Sequence, residues 1–199
     1  MKMAFILFDG MTSLDLIGFY DAVTRLRLFK TFDQVMWDFC GVHEEVVDDR
    51  GMTFRIRQVR PNLSEYDLVF VPGGFATRQL RHDADFIGWL QTAREAEYKV
   101  SVCTGALLLG AAGFLQGKRA TTNASAYELL APYCSEVVKA RVVRDGRVFT
   151  GGGVSASIDL GLYVIEHLAG VDVAKEVQQK MDYPYYRPGQ ASNEYMSRN

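Results

Sequence analysis

Ser101-Val102-Cys103-Thr104-Gly105 is the stretch that decides how this 199-residue chain is read. A β-branched run (Val100, Val102) leads into a cysteine and continues at once as the helical stretch Thr104 to Ala112. A residue at such a strand-to-helix bend points its side chain out of the sheet rather than into the core. The following helix aims unpaired N–H groups and the positive end of its dipole at the sulfur. Both effects are expected to lower the thiol pKa and make Cys103 nucleophilic near neutral pH. The plainer alternative is a small buried hydrophobe, the usual fate of a free cysteine. Position favours the nucleophile for Cys103. Burial is the reading for Cys40, inside a strand, and for Cys134, close to Pro132.

Working outward, the neighbouring segments alternate between strand and helix. Met3–Phe8 is a short apolar run stopped by Asp9-Gly10, and Leu14 to Leu26 follows with helical spacing that lets Leu14, Ile17, Gly18, Ala22 and Leu26 share a face. Gln34–Cys40 and Thr53–Val59 read as strands, and Asp67–Val71 as a buried one ended by Pro72-Gly73-Gly74. Asp83 to Tyr98 is an amphipathic helix; Arg119–Thr122 a short strand; Ala124 to Leu130 a helix. Arg141 to Thr150 carries Asp145-Gly146 between Val-rich arms, a hairpin signal of the type I′ kind. Ser155 to Leu168 is a long helix stopped by Gly170, and Asp172 to Met181 a last, more polar one. The division expected is one domain over 1–182 and a tail over 183–199 with a mobile end.

Apolar strands alternating with helices indicate an α/β fold with a mostly parallel central sheet covered on both faces. Ligands bind such sheets outside the carboxyl ends of the strands. Phe8-Asp9-Gly10, Pro72-Gly73-Gly74, Cys103-Thr104 and Thr150 to Gly153 mark four of those ends, and they are expected to meet in one crevice.

Asp15 stands in the first turn of the first helix, just past the first strand end. An acid there can simply complement the helix dipole. Packed against a thiol in a partly dry crevice, its pKa should instead rise, so that it holds a proton it can donate. Asp9 is a rival, although Gly10 beside it suits an ordinary turn aspartate. None of His43, His82 and His167 follows a strand end, so a cysteine–histidine pair is disfavoured. Gly73 and Gly74 let the backbone approach a ligand, and an N–H there, or that of Thr104, can form an oxyanion hole; a plain turn explains the two glycines equally well. Phe19, Phe75, Asn123 and Gly152 are weaker pocket residues, the aromatics being better suited to core packing. Gly151-Gly152-Gly153 before a helix can cradle an anion or allow close packing. Gly113 to Lys118 is one spacer short of a phosphate loop, and Arg119 stands where Ser or Thr is required.

Composition narrows the class further. With 48% hydrophobic and 23% charged residues and a net charge of −2, the chain has no electrostatic footprint for nucleic acid. The apolar run Met3 to Phe8 is shorter than the roughly 7–15 residues of a signal h-region. No apolar run approaches the roughly 20 residues of a membrane helix. Three cysteines without an export signal point to a reducing, cytoplasmic setting.

In their order these residues resemble the ThiJ/PfpI family of the class I glutamine amidotransferase-like superfamily. The markers are Ala4–Phe8 with Asp15-Leu16-Ile17-Gly18, Val69 to Gly74, Ser101 to Ala106, Leu115 to Thr122 and Thr150 to Gly153. Within that family the chain is most similar to isocyanide hydratases and to amidase-like domains of some transcription regulators. The resemblance implies a flavodoxin-like three-layer sandwich with a nucleophile elbow at Cys103, an acidic partner at Asp15, a homodimer, and no metal or organic cofactor. Relatives described as intracellular proteases usually carry His after the cysteine, where this chain has Thr104. Many close relatives have His after the Thr-Thr pair, where this chain has Asn123.

The activity this implies is hydration of an isocyanide, a small electrophilic substrate, to an N-formamide through a thioimidate on Cys103, with Thr104 helping to orient the site. Two other uses of the same cysteine stay open. One is a glyoxalase- or amidase-like reaction on small carbonyl compounds; the other is a non-catalytic redox or ligand sensor.

Overall fold

The computed structural model describes residues 1–190 and 194–197. In chain order the elements are β1 (Lys2–Ile6), α1 (Ser13–Val23), β2 (Met36–Gly41), β3 (Glu45–Val47), β4 (Thr53–Arg55), β5 (Gln58–Val59) and β6 (Leu68–Val71). Then come α2 (Thr77–Leu80), α3 (Ala84–Leu90), β7 (Tyr98–Val102), α4 (Gly105–Ala111), β8 (Arg119–Ala120), α5 (Tyr127–Leu130) and β9 (Glu136–Val137). The hairpin β10 (Ala140–Asp145) and β11 (Val148–Gly151), helices α6 (Ala156–Ala169) and α7 (Val171–Lys180), and β12 (Glu194–Ser197) complete the order.

Eight of these strands form one sheet in the order β12-β10-β11-β7-β6-β1-β2-β5. The run from β11 to β5 is parallel, and β10 joins it antiparallel on both sides. Helix α1 packs on α6, and α6 on α7, against one face, while α2 and α5 pack with α4. This is the expected flavodoxin-like α/β sandwich. Its central strands have no polar face because helices cover both sides: every residue of β6 is buried, as is β1 after Lys2. Phe19 of α1 stacks on Phe70 of β6 with ring centroids 4.2 Å apart. Burying an aromatic side chain of this kind stabilises the fold by roughly 1.5–3 kcal/mol.

Several local expectations are corrected. Leu14 and Ile17 do not share the buried face of α1: they are 53% and 41% exposed, while Leu16, Phe19 and Val23 face the core. The segment carries two apolar stripes, and the aromatic one is buried. The helix expected over 83–98 is α only to Leu90, with Asp83 capping its start through bonds from the Asp85 and Phe86 amides; Tyr98 already belongs to β7. The strand expected over 53–59 is two short strands, β4 and β5, and the helix expected from Ala124 is α only from Tyr127. The β10–β11 turn has Gly146 and Arg147 at its centre, and only Gly146 has positive φ (63°), the pattern of a type II′ turn rather than I′.

The sequence pattern does not anticipate strands β3, β9 and β12 or helix α2. The stretch from Tyr183, expected as a tail, packs back onto the domain. The Tyr183 hydroxyl donates to buried Asp159 at 3.1 Å, the Tyr186 hydroxyl donates to Glu166 at 2.9 Å, and β12 pairs with β10. The expected mobile end includes residues 191–193 and 198–199, which lie outside the described residues.

Candidate active site

Cys103 sits where β7 ends, in the left-handed region at φ 54°, a conformation costing a non-glycine residue on the order of 1–3 kcal/mol. Two neighbours hold it there. Its amide donates to Gly151 O of adjacent β11 at 3.0 Å, and its carbonyl accepts the buried Thr122 hydroxyl at 2.7 Å. The elbow is therefore over-determined from both sides. Thr122 was present in the sequence as half of a Thr-Thr pair, but its function as a clamp needed the fold to become visible.

The acid arrives from the other half of the sheet. Asp15 is fully buried at the start of α1, and its Oδ2 accepts the Gly73 amide at 2.8 Å. Its Oδ1 is buried without another hydrogen-bond partner, and the carboxyl lies within reach of the Cys103 thiol. Gly73 makes the approach possible: a Cβ there would stand 2.6 Å from the Thr104 nitrogen. Gly74, at φ 142°, is locked to Thr104, whose hydroxyl accepts the Gly74 amide at 3.1 Å and donates to its carbonyl at 2.9 Å. The two glycine N–H groups are thus committed to Asp15 and Thr104, which corrects their expected place in an oxyanion hole. The backbone donor left at the sulfur is the Thr104 amide.

A second layer fixes the loop that carries Asp15. The turn between β3 and β4 reaches over it: Asp48 accepts the Ser13 hydroxyl, and Asp49 Oδ2 accepts the Thr12 hydroxyl at 2.8 Å. The Asp49 amide donates to Met11 O at 2.9 Å. Asp9 is exposed and accepts the Val47 amide at 2.8 Å, an ordinary turn role.

Electrostatics correct one expectation and support another. Burial raises the Asp15 carboxyl to about 7, against the opposing bonds from the Gly73 amide and Cys103; the Asp49 charge adds to the rise. The thiol is not acidified. Burial raises Cys103 to about 11 and the Asp15 charge adds to it, while the Thr104 amide, the Asn123 side chain and the Thr104 hydroxyl oppose. The seven-residue helix α4 does not offset the loss of water around a residue that keeps only 6% of its surface exposed. For such a close pair the titrations belong to the two groups jointly. Between about 7 and about 11 they hold one proton between them.

The weaker pocket residues divide. Asn123 belongs to the site: its Oδ1 accepts the Ser125 amide at 3.0 Å and the Ser125 hydroxyl at 2.9 Å, and its side chain opposes the rise of the Cys103 thiol pKa. With Oδ1 so engaged, the amide nitrogen is the atom free to donate. Phe19 is a core residue with no exposed surface, stacked on Phe70. Phe75 is 77% exposed under the guanidinium of Arg78, 4.8 Å from its ring centre, so it is neither core nor an enclosed wall. Gly152 donates its amide to Arg141 O at 2.9 Å, the close packing of a chain reversal rather than an anion cradle.

Of the other cysteines, Cys40 is buried as expected, beside Tyr66, with its thiol pushed up to about 12 by burial, whereas Cys134 is only part-buried and donates to Leu130 O. His43, His82 and His167 are exposed. Among the described residues, no three or more His, Cys, Asp or Glu side chains are grouped to hold a metal ion, and no helix is long and apolar enough to cross a membrane.

Comparison with known proteins agrees with this fold. The model of the DJ-1/PfpI family matches residues 1–167. Isonitrile hydratase of Pseudomonas putida is 38% identical over 92% of this chain and 78% of its own length. An HTH-type transcriptional regulator of Pseudomonas aeruginosa is 30% identical over 94% of this chain, which spans 56% of the regulator. Among solved structures, a ThiJ/PfpI family protein from Pseudomonas syringae superposes with a TM-score of 0.83 at 29% identity, covering 96% of this chain and 78% of that one.

Proposed function

The chain belongs to the DJ-1/PfpI family, and from that premise we propose that it hydrates isocyanides to N-formamides through a covalent bond to Cys103. The observation that carries this reading is the Asp15–Cys103 pair: a buried thiol next to a buried acid, holding one proton near neutral pH. The similarity to an isonitrile hydratase supports it.

The chemistry balances with these two groups and one water. Cys103 sulfur bonds to the terminal carbon of R–N≡C, and the thiol proton, relayed by Asp15, goes to that same carbon. The product is a thioimidate, R–N=CH–S–Cys103. Asp15, again a carboxylate, takes a proton from water as the oxygen adds to the thioimidate carbon. That proton goes on to nitrogen, the C–S bond breaks, and the second water proton returns to sulfur as R–NH–CHO leaves. Splitting the reaction in two and moving each proton through one positioned acid is the usual source of rate in covalent catalysis. The Thr104 amide and the Asn123 side chain face the sulfur and stabilise negative charge there.

The protein is mixed with an aryl isocyanide, the product analysed, and the intact mass measured. Formamide formation with a transient adduct on Cys103 supports the reading. No formamide, with Cys103 still open to alkylation, removes it. An adduct that persists without product favours a ligand-sensing thiol, a reading supported by the similarity to a transcription regulator.

We also propose that the working form is a homodimer. Leu14, Ile17 and Met52 are exposed beside Val154 along one apolar cleft, and apolar surface of this kind is commonly covered by a partner.

A further inference from the structure

The short helix α2 sorts its charges. Ala76, Gln79 and Leu80 face a cleft of about 520 Å³ shared with Asp9, Asp83 and Asp85. Arg78 and Arg81 turn the other way, toward the 123–133 segment: Arg78 Nη2 donates to the Ser125 hydroxyl at 3.2 Å and Arg81 Nη1 to Leu129 O at 3.3 Å. Neither arginine has a carboxylate within ion-pair distance among the described residues, although the chain carries more acids than bases. Arg78 reaches toward the nucleophile through the 123–125 turn. Its guanidinium bonds Ser125, Ser125 bonds Asn123 at 2.9 Å, and the Asn123 side chain is one of the groups that oppose the rise of the Cys103 thiol pKa. Half-buried and lying over the exposed Phe75 ring, the guanidinium is held beside the 123–125 turn that flanks Cys103, with N–H groups to spare.

We propose that Arg78 selects the substrate, and that the preferred electrophiles carry a carboxylate at the end remote from the reacting carbon. This rests on the hydratase reading for the reaction but not for the recognition. A guanidinium held over a ring, with donors left over, presents the fork that a carboxylate accepts in two parallel bonds. The anion of Asp15 sits at the reacting end, so an anionic substrate entering this site needs a fixed cation at the other. Arg78 is placed to supply it, and the ring of Phe75 offers a flat surface beside it.

The test labels the full chain with para-(iodoacetamido)benzoate and, separately, with its methyl ester. In each case the sulfur displaces iodide. The rates are followed by intact mass, and the quantity read is the acid-to-ester rate ratio, which cancels any change in thiol reactivity common to both. Arg78→Gln is expected to lower that ratio roughly fivefold, Arg78→Lys to retain most of it, and Arg147→Gln, on the Glu97-paired arginine before β11, to leave the ratio where it was. A ratio that moves less than about twofold in Arg78→Gln, or as much in Arg147→Gln, overturns the proposal. The companion experiment offers para-isocyanobenzoate and its methyl ester. Turnover of neither removes the hydratase reading, while the labelling ratio still decides on Arg78.

Discussion

Asp15 and Cys103 meet across the bare Cα of Gly73: a methyl group there would lie 2.7 Å from Asp15 Oδ2 and 2.8 Å from the Cys103 Cβ. The acid and the thiol come from strand ends on opposite sides of β6, and the glycine that follows β6 is the gap through which they face one another. Its amide also anchors the carboxyl. Proton exchange between the two groups depends on that gap remaining empty.

Asp15→Asn keeps the shape and the acceptor for the Gly73 amide but cannot carry a proton. The wild-type rate should rise as the acid ionises near 7 and fall as the thiol loses its proton near 11. In the variant the limb near 7 should vanish and kcat/KM drop by about a hundredfold or more. An isocyanide-turnover pH profile checks this, and an unchanged acidic limb would remove Asp15 from the mechanism.

The same substitution should stabilise the fold at alkaline pH. The folded-state pKa of Asp15 is raised from 3.8 to about 7, so between those values the unfolded chain has lost its proton while the folded one keeps it. Stability from this group is therefore complete below about 3.8, declines as pH rises through the window, and levels off above 7. Each pH unit is worth at most about 1.4 kcal/mol. Denaturant melts at pH 4 and pH 8 should show Asp15→Asn gaining on wild type by a few kcal/mol at the higher pH.

Cys103 has a backbone conformation that suits glycine. Cys103→Gly and Cys103→Ala should both abolish labelling and turnover. The glycine variant should equal or exceed the alanine variant in stability, by about 1 kcal/mol, the reverse of the order at ordinary positions. Paired thermal melts read the difference; alanine clearly ahead would mean the elbow is not held where φ 54° places it.

Ile17 stands on the exposed apolar stripe of α1, away from the Asp15 side chain. Ile17→Glu should convert a dimer to monomer in sedimentation velocity. A wild-type chain already monomeric at micromolar concentration would end the homodimer proposal.

Much of this site was legible as sequence because it lies at strand ends. Cys103, Asp15 and Gly73 each follow an apolar run, and parallel sheets gather such ends in one place. The titration of the sulfur was not legible. Helix polarity can be read locally, whereas burial of Cys103 depends on α4, the 123–126 turn and the Gly73 loop closing around it, and that loss of solvent outweighs the short helix. Asp48 and Asp49 were invisible for a related reason: their hairpin is three residues on each side, and its role comes from docking on Ser13 and Thr12, 35 and 37 positions away. In α1 the spacing alone allowed two apolar faces, and Phe19 stacking on Phe70 decided between them.

The last described strand has a consequence for handling the protein. β12 lies along the outer side of β10, occupying amides and carbonyls that would otherwise be an open template for a neighbouring molecule. A chain trimmed before Glu194 would still carry the thiol, the acid and their glycine. Its first failure would be clumping into chain-to-chain sheets, with loss of catalysis only following the loss of soluble protein.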